Sequence, residues 1–146
     1  MTEEFTNLVG KIIQNCGLLE LLVNNSVKAL STDNLLSAKI IKFPYQRRID
    51  VLKSLLKERT ELEITDIDSL YCDLKEISEQ RNIIAHNPIA SDDPDNNAEP
   101  YILIVKHQSE TPNVEKMGST ELKKILKKSN DTLIKYIKLI PESKIT

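Results

Sequence analysis

The sequence predicts an all-α protein, a bundle of four to five helices with one small β-hairpin insertion. Apolar residues recur at alternating steps of three and four along most of the chain, which is the period of helices that bury one face. Only 3 of the 146 residues are glycine, whereas lysine, isoleucine, leucine and asparagine are abundant. A chain of this length fits one domain with a real core, so we treat residues 1–146 as a single domain.

The first helix is predicted to begin at Thr2, which can cap it, with Glu3 and Glu4 in the opening turn. Residues spaced along one face form its core stripe: Phe5, Val9, Ile12, Cys16, Leu19, Val23 and Leu30. Four further apolar residues widen this face: Ile13, Leu18, Leu21 and Leu22. The excess of apolar surface indicates burial on two sides, one of them against a partner subunit.

Two shorter helices are predicted to follow. Residues 31–41 have the pattern of a short second helix. Pro44 stands where a proline commonly begins a helix, and a third helix is predicted from there through Arg59. Its apolar residues share one face: Ile49, Leu52, Leu55 and Leu56.

The fourth helix is predicted to begin at Thr65 or Asp66 and to end at His86. Pro88 sets this end, because proline lacks an N–H and disfavours helix at the residue before it. The apolar stripe of the helix again follows alternating steps of three and four: Ile67, Leu70, Leu74, Ile77 and Ile84.

Residues 87–118 are predicted to form a loop and a β-hairpin insertion. Three prolines and an acidic, asparagine-rich run within 87–100 are typical of a loop. Residues 101–105 are β-branched and aromatic enough to form a strand, and a shorter strand over 114–117 can pair with it.

The last helix is predicted to be capped by Ser119 and ended by Pro141. Its lysines alternate with apolar residues at helical spacing. The predicted core face consists of Leu122, Ile125, Leu126, Leu133, Ile137 and Ile140.

The end of the fourth helix, EQRNIIAHNP at positions 79–88, combines an arginine, an amide and a histidine. Continuing the apolar rhythm from Ile77 leads to Arg81, so a permanent charge occupies a stripe that otherwise faces the core. Such a charge is costly unless it is paired or faces a polar cleft. Asn82 and His86 lie one turn apart beside it. A cation that does not deprotonate, next to a histidine able to shuttle protons, suits chemistry on phosphate esters.

This segment resembles the Arg-x4-6-His motif of the HEPN superfamily, whose ribonuclease members carry it near the end of a core helix. Asn82 matches the polar residue that commonly follows the arginine. The motif likeness covers Arg81 to His86, and the looser likeness, a helical bundle with a long first helix, spans most of the chain. In the subgroup paired with nucleotidyltransferase antitoxins the motif tends to continue as His-x-Tyr. Pro88 occupies the position of that tyrosine in this chain. The sequence therefore does not support regulation by modification of that tyrosine.

The resemblance implies a metal-independent endoribonuclease that cleaves RNA to 2′,3′-cyclic phosphate ends. It implies that His86 acts as general base or acid, that Arg81 holds the scissile phosphate, and that Asn82 orients either of them. One motif histidine per chain cannot easily serve as both acid and base. The resemblance implies a homodimer that brings two motifs together, which supplies the second histidine. Bacterial toxin–antitoxin systems and phage defence are the settings that the family suggests, with an antitoxin or another regulatory protein as partner.

Two other interpretations remain open from the sequence. An arginine on a helix stripe is often a snorkelling side chain or half of a structural ion pair, and a histidine is a favourable residue in a last turn. The chain would then be a non-catalytic HEPN-like interaction module that binds a protein, nucleotide or nucleic acid. The third interpretation is a purely helical dimerisation protein without a ligand.

Charge is unevenly distributed along the chain. Segments 39–59 and 116–138 each contain seven basic residues against two acids, whereas segment 61–79 contains seven acids against one lysine. The two basic helices could bind phosphate although the formal net charge is −2. Within them we select four candidates for RNA binding: Arg47, Arg48, Lys123 and Lys127. The alternative is that the lysines coat a solvated face.

Cys16 and Cys72 lie far apart, without the spacing of a zinc or redox motif, and are predicted to be buried thiols in a reducing cytoplasm. No apolar run approaches the length of a membrane span, and the acidic start of the chain does not resemble a signal peptide. We therefore expect a cytoplasmic protein that does not engage a membrane.

Neither a metal nor a cofactor is expected. Asp93, Asp95 and Asn97 have the alternate spacing that begins a calcium loop, but Ala98 stands where that loop requires glycine. His107 has no companion ligand at metal-binding spacing. These residues are predicted to belong to a solvated turn and a strand end.

Overall fold

The computed structural model describes residues 3–32, 38–96, 98–106 and 113–140. Four long helices account for most of them: α1 (Glu3–Leu30), α2 (Tyr45–Arg59), α3 (Ile64–His86) and α4 (Ser119–Leu139). Three strands form one antiparallel sheet: β1 (Ile89–Ala90), β2 (Tyr101–Lys106) and β3 (Asn113–Met117). The protein is therefore mostly helical, with a small sheet inserted between α3 and α4. Within the described ranges, no helix is both long and apolar enough to cross a bilayer.

Helices α1 and α4 run parallel to each other. The Asn15 side chain donates to Ser129 Oγ at 2.9 Å, and two turns further along both helices the Tyr136 hydroxyl donates to the Leu22 carbonyl at 3.1 Å. The same hydroxyl lies 2.6 Å from Ser26 Oγ, so the buried phenol has its polar group satisfied. Burial raises the pKa of Tyr136 far above its usual value, which keeps the ring neutral in the core.

Helix α2 also runs parallel to α1, and α3 runs antiparallel to α2. Near the start of α2 the Gln46 amide donates to Ser78 Oγ at 3.0 Å, while near its end Lys57 lies 3.2 Å from Asp68. Lysines of α4 contact α3 in the same antiparallel sense: Lys128 pairs with Glu76, and Lys135 bonds Ser69.

The core lies between the four helices and is closed at one end by β2. Its large, fully buried side chains come from every helix and from one strand: Phe5, Ile12, Leu19, Ile40, Ile49, Leu52, Leu56, Ile67, Leu70, Leu74, Ile102 and Tyr136. Full burial of such a side chain stabilises the fold by about 1.5–3 kcal/mol. The apolar stripes predicted for α2 and α3 are buried throughout, and in the stripe of α1 only Val9 is half-buried.

Several boundaries agree with the prediction and others do not. Helix α3 ends at His86 as predicted but begins at Ile64, slightly earlier than expected. Ser119 is the first residue of α4 rather than its cap, because Gly118 precedes the helix and its N–H donates to Glu121 Oε2 at 2.9 Å. The predicted cap Thr2 and terminator Pro141 lie outside the described residues. So do residues 33–37 of the predicted short helix, whereas residues 38–40 are helical.

Two predictions of burial are wrong. Ile137 was expected in the core face of α4 but is exposed, because that face is centred on Ser129, Thr132 and Tyr136 and leaves Ile137 at its outer edge. Cys72 was expected to be buried but is exposed, because it lies on the side of α3 that faces away from the buried stripe. Cys16 is buried as predicted.

The sheet has the order β1-β2-β3, and its register pairs Ile89 with Ile102 and Val105 with Val114. The predicted hairpin is confirmed as β2 and β3. Strand β1 was not predicted, since two residues are too few to show a period. Backbone pairing continues past β1, because the Leu103 N–H donates to the Pro88 carbonyl at 2.9 Å. The sheet is therefore attached directly to the end of α3.

Candidate functional site

The candidate site lies on the last two turns of α3, where this helix extends beyond the start of α2. The contact between Gln46 and Ser78 is formed in the first turn of α2, and Tyr45, the first residue of that helix, lines the same cavity as Arg81. Arg81 continues the helical face of the buried Ile77, as the sequence predicts, yet Arg81 is exposed. Ile84, further along the same stripe, is buried again, so Arg81 is an exposed charge at the edge of a stripe that faces the core to the end of α3.

Arg81 lines a shallow cavity between α1, α2 and α3, together with residues of all three helices: Cys16, Leu19, Glu20, Tyr45, Ile77 and Ser78. The pKa of the Cys16 thiol is raised to about 11, chiefly by burial. The nearby Arg81 opposes this rise and Glu20 contributes to it. Burial likewise raises the pKa of Tyr45 far above its usual value. Both groups stay protonated at neutral pH, so neither is an activated nucleophile or base. The charged group that this cavity offers to a ligand is the Arg81 guanidinium.

The guanidinium of Arg81 remains largely open to a ligand. Its one hydrogen bond among the described residues is a long one, 3.4 Å from Nη1 to Asn82 Oδ1. The neighbouring carboxylate of Glu20 is engaged elsewhere, 2.9 Å from Arg48 Nη2. A guanidinium presents five N–H donors in a planar fork, which suits two-point contact with a phosphate.

His86 is the last residue of α3 and is exposed. The end of the helix is fixed by Asn87, whose backbone is extended and whose amide donates to the Ile83 carbonyl at 2.8 Å. Strand β2 holds the next residue through the bond from Leu103 to the Pro88 carbonyl. The sequence reasoning missed the role of Asn87, although asparagine is a favoured residue at helix C-termini.

One chain does not bring Arg81 and His86 onto the same side of α3. Residues five apart differ by about 140° around an α-helix and by about 7.5 Å along it, whereas Asn82 and His86 differ by only about 40°. Arg81 is directed towards the cavity with α1 and α2, and Asn82 with His86 lies on the adjoining face.

The two arginines predicted to bind RNA have different environments. Arg48 donates to Glu20 at 2.9 Å, to Asn24 at 2.7 Å and to the Phe43 carbonyl at 3.0 Å, and its side chain is only 12% exposed. Arg48 therefore clamps α2 to α1 and is poorly placed to bind a phosphate. Arg47 is exposed, and its guanidinium lies 4.6 Å from the centre of the Phe43 ring.

The two lysines predicted to bind RNA lie on the outer face of α4. Lys123 is 2.9 Å from Glu4, and Lys127 is 3.5 Å from Asp131, with all four side chains exposed. The hydrogen bond that Lys123 donates to Glu4 raises the pKa of Lys123. Because α4 runs antiparallel to α3, Lys123 lies at the same end of the bundle as the motif. RNA binding by these lysines stays a prediction.

Among the described residues there is no group of three or more histidine, cysteine or acidic side chains that could hold a metal ion. Asp93 and Asp95 lie at a short 3₁₀ turn, where Asp93 Oδ2 accepts a bond from the Asn96 amide at 2.7 Å. Asn97 and His107 lie outside the described residues. What the described part of the site offers for catalysis is the guanidinium, amide and imidazole of the motif.

Comparisons with protein-family models, curated proteins and solved structures found no match to this chain. The likeness to the HEPN superfamily accordingly rests on the motif from Arg81 to His86 and on the helical bundle. It remains an expectation from the sequence, to be tested through the chemistry of these residues.

Proposed function

We propose that the protein is a metal-independent endoribonuclease of HEPN type that works as a homodimer. The observation that carries this proposal is the position of Arg81, an exposed guanidinium on the core-facing stripe of α3, with Asn82 and His86 on the same two turns. An isolated structural arginine would be expected to pair with a carboxylate, but Glu20 beside it is held by Arg48. The toxin–antitoxin or phage-defence setting is part of the proposal through family likeness alone.

The proposed reaction transfers a phosphoryl group within the RNA. His86 takes the proton of a ribose 2′-OH, whose oxygen forms a bond to the adjacent phosphorus as the bond from phosphorus to the 5′-oxygen breaks. His86 of the partner subunit gives a proton to the departing 5′-oxygen, and the products are a 2′,3′-cyclic phosphate and a 5′-OH. Each proton transfer is worth roughly 10²–10⁴-fold in rate. Arg81 binds the non-bridging oxygens and stabilises their developing charge.

The outer surface of α1 supports the dimer. Gly10, Ile13, Gly17 and Leu21, here called the glycine face, lie within about 80° of one another around the helix. Ile13 is 39% and Leu21 54% exposed, and a Cβ added at either glycine would meet no atom within 4 Å. Glycine permits close approach of another backbone, and the two large side chains would gain burial.

The glycine face also borders the motif. Gly17 directly follows Cys16 in the sequence and precedes Glu20 by about one turn, and both of these residues line the Arg81 cavity. A second copy packed on this face would cover the exposed Arg81 at the edge of the α3 stripe. It would also bring a second His86 towards the Arg81 side of the site, which a single chain does not supply.

The direct test is to incubate the purified protein with total RNA in the presence of EDTA and to map the new ends. We expect cleavage with 2′,3′-cyclic phosphate and 5′-OH ends, and loss of cleavage in Arg81→Ala and His86→Ala. Arg59→Ala is the matched control, because Arg59 is an exposed arginine at the far end of α2 that bonds Thr32. Cleavage that survives in either motif variant would overturn the assignment of catalysis to these residues.

One observation favours a second function, a non-catalytic interaction module. Arg81 and His86 diverge by about 140° within one chain, which suits two separate binding contacts as well as it suits a shared dimer site. The two functions differ in a simple assay. Expression of a ribonuclease should slow the growth of the host, and Arg81→Ala should relieve that effect, whereas an interaction module has no such dependence.

A further inference from the structure

Two surface cavities join into one groove along the outer side of α4, where it packs on α3. One has a volume of about 450 Å³ and is lined by Lys124, Asp131 and Lys135 among others. The second has a volume of about 400 Å³ and is lined by Asp131, Ile134, Lys135 and Lys138 among others. Because both cavities include Asp131 and Lys135, they form a continuous groove. From position 124 to position 139 it spans about 22 Å of helix, the length of a helix of four turns.

Part of the positive charge in this groove is neutralised within the chain. Lys135 lies 3.0 Å from Asp73, and Lys128 pairs with Glu76. These contacts join α4 to α3 and leave little net charge in the middle of the groove. Its central lysines are thus structural.

The two ends of the groove differ from its middle. Lys124 and Lys138 form no ion pair with any described residue, and both are exposed. They lie about 21 Å apart on the same side of α4. Between them, Oδ2 of Asp131 lies 3.5 Å from Nζ of Lys127 and forms an ion pair with it. The groove therefore offers one unpaired cation at each end.

Apolar surface lies between these two cations. Ile134 is 52% and Ile137 57% exposed. Neighbouring exposed apolar side chains form a patch, and such patches are a feature of interaction sites. Ile134 lines the groove itself, and Ile137 lies beside it on the neighbouring turn. A partner that covers both would gain burial of branched apolar side chains.

We propose that this groove docks an acidic, amphipathic α-helix of a partner protein, with carboxylates at Lys124 and Lys138 and apolar residues on Ile134 and Ile137. Charge complementarity at the two ends and apolar surface between them are the features of helix-in-groove recognition. RNA fits less well, because phosphates gain nothing from isoleucine, and no arginine or aromatic ring lies among the described residues that line the groove.

The part of the groove around Ile134 lies at the end of the bundle opposite the motif. It is lined there by Asp66, at the start of α3, which is about 22 Å along that helix from Arg81. A helix bound in the groove would leave Arg81 and His86 accessible. Of the four residues predicted to bind RNA, Lys127 lines the groove, whereas the proposed catalytic residues do not. Docking and cleavage can therefore fail separately.

The probe is a synthetic helix of about 18 residues with leucines along one face and two glutamates about 14 residues apart. Its binding to the full chain is measured by fluorescence anisotropy, next to a scrambled peptide of the same composition. We expect Lys124→Glu combined with Lys138→Glu to weaken binding at least about tenfold, and Ile134→Ser to weaken it several-fold. A peptide with lysines in place of the two glutamates should bind the charge-reversed protein and restore most of the lost affinity.

Lys11→Glu and Ile41→Ser are the matched controls, since both residues are exposed on other parts of the molecule. The proposal is overturned if the peptide does not bind, or binds equally well to the groove variants. It is also overturned if an RNA oligonucleotide occupies the groove and is insensitive to Ile134→Ser, which would make this a nucleic-acid surface. Conversion of a dimer to a monomer by Ile134→Ser with Ile137→Ser would instead assign the face to a second copy of the chain.

Discussion

The Gln46 amide donates to the Ser78 hydroxyl at 3.0 Å, and this contact is formed where α2 begins to cover α3. The buried Ile77 lies next to it, and Arg81, one turn further on, is exposed. The start of α2 at Tyr45 therefore lies beside the point where Arg81 can meet a ligand or a second subunit, while Ile84 keeps the centre of the α3 stripe in the core.

Replacing either Arg81 or His86 by alanine should lower the RNA cleavage rate by at least about 10²-fold. The fold should survive both changes, because both side chains are exposed. Cleavage of a labelled oligonucleotide gives the rate, and circular dichroism with a thermal melt checks the fold. A variant that loses both activity and its melting transition would not report on catalysis, so the comparison is made only between folded proteins.

Cleavage should need no divalent metal and should depend on salt. In the proposed mechanism the imidazole and guanidinium supply the chemistry, so the rate in EDTA should equal the rate in Mg²⁺. RNA binding through lysine and arginine should weaken as salt rises, because the logarithm of affinity falls linearly with the logarithm of salt concentration. Activity that EDTA removes and Mg²⁺ or Mn²⁺ restores would contradict the mechanism while leaving a nuclease.

Gly17→Glu should convert the proposed homodimer into a monomer without unfolding the chain. A Cβ at Gly17 meets no atom within 4 Å, and replacing a mid-helix glycine removes a cost of roughly 0.5–1 kcal/mol, so the isolated fold should tolerate this change. A charge on the glycine face would be buried by a second copy and is costly there. Light scattering at micromolar concentration measures the mass.

Ser54→Glu is the control for that experiment, since Ser54 is exposed on α2, away from the glycine face. A wild-type protein that is already monomeric would contradict the proposed dimer. A Gly17→Glu protein that remains dimeric would place the interface elsewhere on the surface.

Much of the fold follows from the sequence because each helix buries one face of standard period. The stripe from Ile67 to Ile84 is predicted and observed on α3, and its end at His86 follows from Pro88. Ile137 shows the limit of that reasoning. It has the spacing of a core residue, but which edge of α4 is covered depends on where α1 and α3 pack, and their positions are not encoded in the local pattern.

For the candidate site, the identities of the residues are visible in the sequence but their environments are not. The register of Arg81 is read correctly from Ile77, whereas its exposure depends on the tertiary position of α2. The same holds for Arg48, which looks like a free cation in sequence. Its partners Glu20 and Asn24 lie more than twenty residues away, and only packing brings them together.

Asn87→Ala should destabilise the protein by about 0.5–1.5 kcal/mol, the usual contribution of one hydrogen bond. Its amide donates to the Ile83 carbonyl at 2.8 Å and so fixes the turn that carries His86. Under the proposed mechanism the cleavage rate should also fall while RNA affinity stays unchanged. Asn87→Asp is the informative companion, because an ionised carboxylate keeps the shape but has no donor. A loss in Asn87→Asp at least as large as in Asn87→Ala would identify the hydrogen bond as the cause, because the carboxylate also meets the negative end of the helix. Unchanged stability in both variants would contradict it.

Arg48→Ala should destabilise the protein by about 1.5–3 kcal/mol, whereas Arg47→Ala should change stability by less than about 0.5 kcal/mol. Arg48 makes charge-assisted bonds to Glu20 and Asn24 that join α2 to α1, and its loss leaves Glu20 unpaired beside the Arg81 cavity. The Arg47 side chain is exposed, and its guanidinium lies 4.6 Å from the centre of the half-buried Phe43 ring. Urea denaturation of the two variants measures the difference between adjacent arginines, and RNA affinity is measured in parallel. If Arg48→Ala leaves stability unchanged but weakens RNA binding more than Arg47→Ala does, Arg48 is a phosphate ligand and its contacts with α1 are incidental.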